Sequence, residues 1–165
     1  MSGKENSQHT YRAAIVTSSD RSFRGEQDDL SGPVIREIAE AEGFQVVSYT
    51  LLPDEQSLLE DELRRLCDNH IADLILTTGG TGFSPRDLMP EATLAVAERL
   101  VPGINEAIRW NSLRITPRAM LSRAVSGIRA GALIVNLPGS PKAVRESLEF
   151  VIGTLRHGLD MLTGR

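Results

Sequence analysis

At 165 residues, with 18 basic and 22 acidic side chains and a net charge of −4, the chain has the length of one well-buried domain and lacks the basic excess of a nucleic-acid coat or a polybasic membrane surface. Apolar residues at 41% and charged residues at 24% match a folded, water-soluble protein and exclude a largely disordered chain. Cys67 is the only cysteine, which excludes an intrachain disulfide framework and a cysteine metal cluster. With no secretory signal and no apolar run long enough to span a bilayer, a cytoplasmic protein without membrane contact is expected.

The first ten residues (MSGKENSQHT) are polar and are expected to form a disordered leader, with residues 11–165 as a single α/β domain. Residues 13–17 (AAIVT) form a near-continuous apolar run, the mark of a strand covered on both faces. A polar loop over 18–32 follows, and Pro33 opens a helix with Val34, Ile35, Ile38 and Ala39 on one face, stopped at Gly43. Residues 45–52 read as a second strand. After Pro53, Asp54 is suited to be the N-cap of a helix carrying Leu58, Leu59, Leu63 and Leu66, in whose apolar pattern Cys67 is a packing thiol. Residues 73–78 form a third strand that runs into Gly79-Gly80-Thr81-Gly82. Helices are expected from Pro90, through Ala92, Ala95 and Val96, and from Pro102, through Ile104, Ala107 and Ile108. Between 118 and 129 the pattern weakens to a short hairpin turning at Ser126-Gly127. Residues 132–137 (ALIVNL) are a buried strand, and apolar residues at Val144, Leu148, Val151, Leu155, Leu159 and Leu162 define a long final helix.

Alternating strands and helices indicate a three-layer α/β fold, a mostly parallel sheet flanked by helices, with right-handed crossovers. Ligands of such sheets bind beyond the carboxyl ends of the strands. Four strand ends here lead into polar loops, at 18–21, 53–55, 79–87 and 138–142, and one site forms if they converge.

The loop Thr78, Gly79, Gly80, Thr81, Gly82 offers backbone N–H groups and hydroxyls to a phosphate, although it lacks the G-K-[ST] ending of a P-loop; a tight strand-to-helix turn is the alternative. Ser140 and Pro141 are suited to N-cap and first helical position. Lys142 is the one lysine of the expected domain and stands in a first helical turn, where the helix dipole disfavours a cation unless an anion lies there; a simply exposed lysine is the alternative. Asp54 and Asp87 beside such a loop suit Mg²⁺, which takes one or two carboxylates together with substrate phosphate oxygens. Asp20 is a third candidate or half of a surface ion pair with Arg21. The three histidines have no zinc-ligand spacing, no G-x-S-x-G elbow is present, and aromatics at 4% leave no stacking platform for nucleic acid. Trp110 is read as packing or an oligomer contact.

The segment 76–93 (LTTGGTGFSPRDLMPEAT), the opening Ser19-Asp20-Arg21 with Asp29-x-Ser31-Gly32, the segment Leu121-Ser122-Arg123, and 136–143 (NLPGSPKA) together resemble the MogA/MoaB family, most closely its molybdopterin adenylyltransferase branch, which includes the gephyrin G domain. The similarity runs in order from about Tyr11 to Leu162. It implies a homotrimer that transfers AMP from ATP to molybdopterin, releasing pyrophosphate, with Mg²⁺ as cofactor and transient contact with a molybdenum insertase. By motif position, Asp54 and Asp87 are the implied catalytic and metal-binding carboxylates. Thr78, Gly79, Gly80, Thr81, Gly82, Asp20 and Arg86 fall to the ATP phosphates, and Ser122, Arg123, Ser140 and Lys142 to molybdopterin. A non-catalytic MoaB-like binding or scaffold protein is the alternative. The chain departs from the family pattern at Met89, where a threonine is usual.

Overall fold

In the first strand, successive side chains point to opposite faces, and both faces are buried. Ala13 and Ile15 enter one core, and Ala14 and Val16 enter another. The computed structural model describes residues 9–165 and builds around this strand a single six-stranded sheet. Its strands are β1 (Arg12–Ser18), β2 (Gln45–Leu52), β3 (Leu74–Thr78), β4 (Arg99–Leu100), β5 (Ser126–Arg129) and β6 (Ala132–Leu137). They lie in the order β2-β1-β3-β6-β5-β4. The first four in that order are mutually parallel, β5 pairs antiparallel with β6, and β4 pairs antiparallel with β5.

Helices cover both faces. α2 (Ser31–Ala41), α5 (Pro102–Leu113) and α6 (Pro141–Thr163) supply Ile35, Ile38, Ile108, Val144, Leu148 and Leu155 to the core that holds Ile15, Leu76 and Val135. α3 (Gln56–Asp68) and α4 (Met89–Val96) close the other face with Leu59, Leu63, Leu66, Cys67, Met89 and Val96. The three-layer architecture expected from the apolar periods is therefore present.

Several local expectations are corrected. The polar loop after β1 contains a single-turn helix, α1 (Asp20–Phe23), because Ser19 caps it by accepting the Ser22 N–H at 3.1 Å. α2 starts at Ser31, ahead of Pro33: Asp29 Oδ1 accepts the N–H groups of Ser31 and Gly32, each at 3.0 Å, so a carboxylate outside the helix satisfies its free donors. Asp54 does not cap α3; Glu55 occupies that position without a side-chain bond. Ser126-Gly127 is not a turn but lies within β5. The chain reverses at Ala130-Gly131, with φ of 49° and 78°, the two left-handed residues of a tight hairpin. Gly127 serves close packing instead, since a Cβ there would stand 2.6 Å from that of Ala97. The two-residue β4 and a 3-10 turn at Pro117–Leu121 had no apolar period to announce them.

His9, placed in the expected leader, packs edge-on against Tyr11 at 4.7 Å, and its carbonyl accepts from Arg156 at 3.0 Å. The remainder of that leader, residues 1–8, lies outside the described residues. Trp110 is 59% exposed, tilted against Phe150 at 6.5 Å, and is not part of either core.

Cys67 is fully buried, and burial pushes its thiol up to about 12. The native protein is expected to leave a thiol reagent such as DTNB unreacted at pH 8 and to consume one equivalent after denaturation. Fast reaction of the native protein would mean that α3 is not seated as described.

Candidate active site

The sheet order reverses at β1, with β2 on one side and β3 and β6 on the other, and loops leaving such a point in opposite directions open a crevice. Here it is a cleft of about 350 Å³ beyond the carboxyl ends of β1, β2, β3 and β6, lined by Ser18, Asp29, Asp54, Gly79, Gly80, Asp87 and Gly139 among others. All four polar strand-end loops thus meet.

The glycine loop makes this possible. Gly79 and Gly80 both lie in the left-handed region, at φ 88° and 65°, and a Cβ on Gly79 would collide with the carbonyl oxygen of Ser18. Backbone therefore abuts backbone between the β1 and β3 loops. The β6 loop joins them: a Cβ at Gly139 would stand 3.5 Å from Gly79 Cα, Thr78 Oγ1 donates to Pro138 O at 2.6 Å, and Ser31 Oγ donates to Gly139 O at 2.7 Å. Thr78 is buried and its hydroxyl proton is engaged in this junction, and Thr81 is buried as well.

Asp54 is bound to the β1 loop reciprocally. Its Oδ1 accepts from Ser18 Oγ, its Oδ2 accepts the Asp20 N–H at 3.0 Å, and its own N–H donates to Asp20 Oδ1 at 3.0 Å. Asp20 is not paired with Arg21. Arg86 grips it with two parallel bonds, Nε to Oδ2 at 2.6 Å and Nη2 to Oδ1 at 2.9 Å, and this guanidinium holds the Asp20 carboxyl down at about 2. The next residue, Asp87, accepts the Ser84 N–H at Oδ2 (2.9 Å) and presents its carboxylate to the cleft. Asp87 Oδ1 accepts no hydrogen bond from the described residues.

Asp54 and Asp87 therefore face one cleft from different loops. Among the described residues no cluster of three or more histidine, cysteine or carboxylate side chains is arranged for a metal ion. Two carboxylates without a third suit Mg²⁺, whose remaining ligands are water and substrate phosphate oxygens.

The residues assigned to the pterin side separate. Ser122 lines a second, more apolar cleft of about 280 Å³ on the far side of the glycine loop, with Thr81, Gly82, Ile108, Arg109 and Pro138. Arg123 lies against the loop itself, its guanidinium bonded to the carbonyls of Gly82 (2.7 Å) and Asp87 (2.6 Å) and to Glu91. Ser140 caps α6 by accepting the Ala143 N–H at 3.2 Å. Lys142 is 80% exposed, with Glu146 at 3.6 Å, and neither it nor Ser140 lines either cleft.

Asp29 is the site residue that motif reading left without a role. Besides capping α2 it accepts from Thr17 Oγ1 at 2.7 Å and from the Tyr49 hydroxyl, and it forms part of the cleft wall. The signal was available, since Asp-x-Ser-Gly before a proline is a helix start in which the aspartate supplies the cap. Met89 is fully buried in the α3–α4 core while its N–H donates to Gly80 O at 3.1 Å. Its departure from the family pattern is thus a packing change under the glycine loop, with the backbone bond to the loop retained.

Gly79→Ala is expected to destabilise the fold by more than about 1 kcal/mol, because it imposes a Cβ on a left-handed residue already against another backbone. Chemical denaturation measures this, and Gly103→Ala, a position open to solvent, is the control.

Comparison with known proteins agrees with this fold. A family described as Probable molybdopterin binding domain matches residues 14–157. A Helicobacter pylori molybdopterin adenylyltransferase is 40% identical over 157 residues, covering 94% of this chain and 89% of that protein. The Escherichia coli protein of the same name is 45% identical over 146 residues, covering 87% and 74%. Among solved structures, the molybdopterin biosynthesis enzyme MoaB of Thermus thermophilus superposes with a TM-score of 0.89 at 49% identity, over 94% of this chain and 98% of that one. The Mog protein of Mycobacterium ulcerans does so at 0.88 and 37%, over 95% and 99%. The family match, the relatives at 40–45% identity and the superposed structures lead to one conclusion: this chain belongs to the molybdopterin-binding domain family, of the MogA/MoaB type.

Proposed function

We propose that this chain is a molybdopterin adenylyltransferase that joins ATP and molybdopterin in molybdenum cofactor biosynthesis. The observation that carries the reading is the pair Asp54 and Asp87, brought from separate loops to one cleft beside a backbone junction at Gly79 and Gly80. Relatives at 40–45% identity bearing that name support it.

In this reading a phosphate oxygen of molybdopterin attacks the α-phosphorus of ATP. The new phosphorus–oxygen bond forms as the bond to the β-phosphate bridging oxygen breaks, and pyrophosphate carries away the electron pair. Reactions of this class gain most from positioning and from compensation of phosphate charge. Mg²⁺, held by Asp54 and Asp87, would neutralise and orient the triphosphate when bound. Gly79 and Gly80 leave the strand-end backbone uncovered for phosphate approach, with Thr78 fixing its path, while Thr81 and Gly82 border the second cleft. Ser18 and Asp20 hold the Asp54 carboxylate in place, and Arg86, which does not itself line the cleft, braces that arrangement through its two parallel bonds to Asp20. The second cleft, with Ser122, receives the pterin body, and its apolar lining suits a flat heterocycle. Among the described residues Lys142 pairs with Glu146 alone, at 3.6 Å, and its exposed side chain can reach an anion near the start of α6.

Trp110, Leu113, Ile115, Met120 and Phe150 are exposed apolar side chains on α5, α6 and the segment that follows α5, and they supply a contact surface for a homotrimer. No helix among the described residues is long and apolar enough to cross a membrane, which is consistent with a cytoplasmic enzyme that passes its product to a molybdenum insertase.

The similarity to a MoaB structure keeps one alternative, a binding or scaffold protein without turnover. Release of pyrophosphate from ATP, Mg²⁺ and molybdopterin decides between them. Asp87→Asn is expected to lower that release by at least about 100-fold, about 2.7 kcal/mol of transition-state stabilisation, with the fold retained by circular dichroism. Near-normal turnover of the variant removes the metal role of Asp87, and wild-type binding without pyrophosphate favours the scaffold. Sedimentation is expected to give three copies for the wild type and a smaller species for Trp110→Glu.

A further inference from the structure

Arg123 has its hydrogen-bonding capacity turned toward the protein. Nε donates to the carbonyl of Gly82 at 2.7 Å, Nη2 donates to that of Asp87 at 2.6 Å, and Nη1 and Nη2 both meet the carboxylate of Glu91. Its backbone N–H adds a bond to Thr81 O at 2.9 Å. The two carbonyls stand at opposite ends of the turn 82–87, so one planar guanidinium closes that turn from behind.

Inside the turn the bonds converge on Asp87. Its N–H donates to Ser84 O at 2.9 Å, its Oδ2 accepts the Ser84 N–H at 2.9 Å, and a Cβ at Gly82 would come within 2.9 Å of the same oxygen. The carboxylate is thus aimed by the turn's path, and Arg123 holds both ends of that path. Glu91 lies in the first turn of α4, where the helix dipole favours a negative charge, and it neutralises the guanidinium. A guanidinium already matched by a carboxylate and two carbonyls has little left for a substrate anion.

We propose that Arg123, anchored by Glu91, is a positioning residue that aims Asp87 into the cleft, and not a ligand of molybdopterin. The activity arm of its test rests on the function proposed above, but the structural arm does not. Lysine has the charge but not the planar fork, so it cannot span two carbonyls and a carboxylate at once. Arg123→Lys is therefore the informative variant, and Glu91→Gln, which leaves Arg123 in place, guards against a variant that fails to fold.

In Arg123→Lys without substrates, hydrogen exchange at the amides of Ser84, Asp87 and Met89 is expected to accelerate about tenfold or more while β3 and β6 stay protected. With ATP, Mg²⁺ and molybdopterin, kcat is expected to fall about 10–100-fold while the molybdopterin KM stays within about twofold. Glu91→Gln should move both readouts the same way by less. Unchanged exchange in both variants overturns the proposal. So does retained kcat, and a molybdopterin KM raised about tenfold at that kcat would make Arg123 a substrate ligand. If the wild type shows no adenylylation, the proposed function fails and exchange alone decides the role of Arg123.

Discussion

The carbonyl oxygen of Ser18 occupies the space that a side chain at position 79 would need. That single contact lets the loops after β1 and β3 meet backbone to backbone, and the rest of the cleft is arranged around it. Ser18 donates its hydroxyl to Asp54, which brings in the β2 loop, and Gly139 lies against Gly79, which brings in the β6 loop. Glycine at 79 combines two needs, a left-handed φ and no Cβ, which no other residue meets without strain.

A chain of net charge −4 that handles polyanionic substrates has to compensate charge locally. The two arginines that brace the loops carrying the cleft carboxylates are already matched: Arg86 by Asp20 and Arg123 by Glu91. Such pairs contribute little net attraction at a distance, but they organise the loops that carry Asp54 and Asp87. The cleft wall therefore presents carboxylates and backbone, a surface complementary to a cation–phosphate complex more than to a bare anion.

Beneath the cleft, a buried polar network ties the sheet to its helices. Asn136 on β6 donates to Thr77 Oγ1 at 3.0 Å and Thr93 Oγ1 at 2.9 Å, accepts from Val125 N–H at 3.2 Å, and receives Asn105 at its carbonyl at 3.0 Å. Asn105 in turn accepts from Ser126. Because the members are partnered, burial exacts little from them, and the network fixes β3, β6, α4 and α5 relative to one another directly below the glycine loop.

The layers and the site's address are legible along the chain. Short apolar runs rich in β-branched residues and bounded by turn residues read as strands covered on both faces, helical periods name the faces that cover them, and clustered glycines with Asp54 and Asp87 mark strand-end loops of a parallel sheet. Tertiary structure decided what each polar side chain does there. Asp54 looked like a helix cap until Ser18 and Asp20 proved to be its partners, the bonds of Arg123 to the Gly82 and Asp87 carbonyls had no signal along the chain, and Gly127 looked like a turn until Ala97 explained it. The physical reason is range: apolar periodicity and capping are local and readable along the chain, whereas a hydrogen bond between residues 36 positions apart, such as Ser18 with Asp54 or Asp87 with Arg123, exists only once the fold has brought them together.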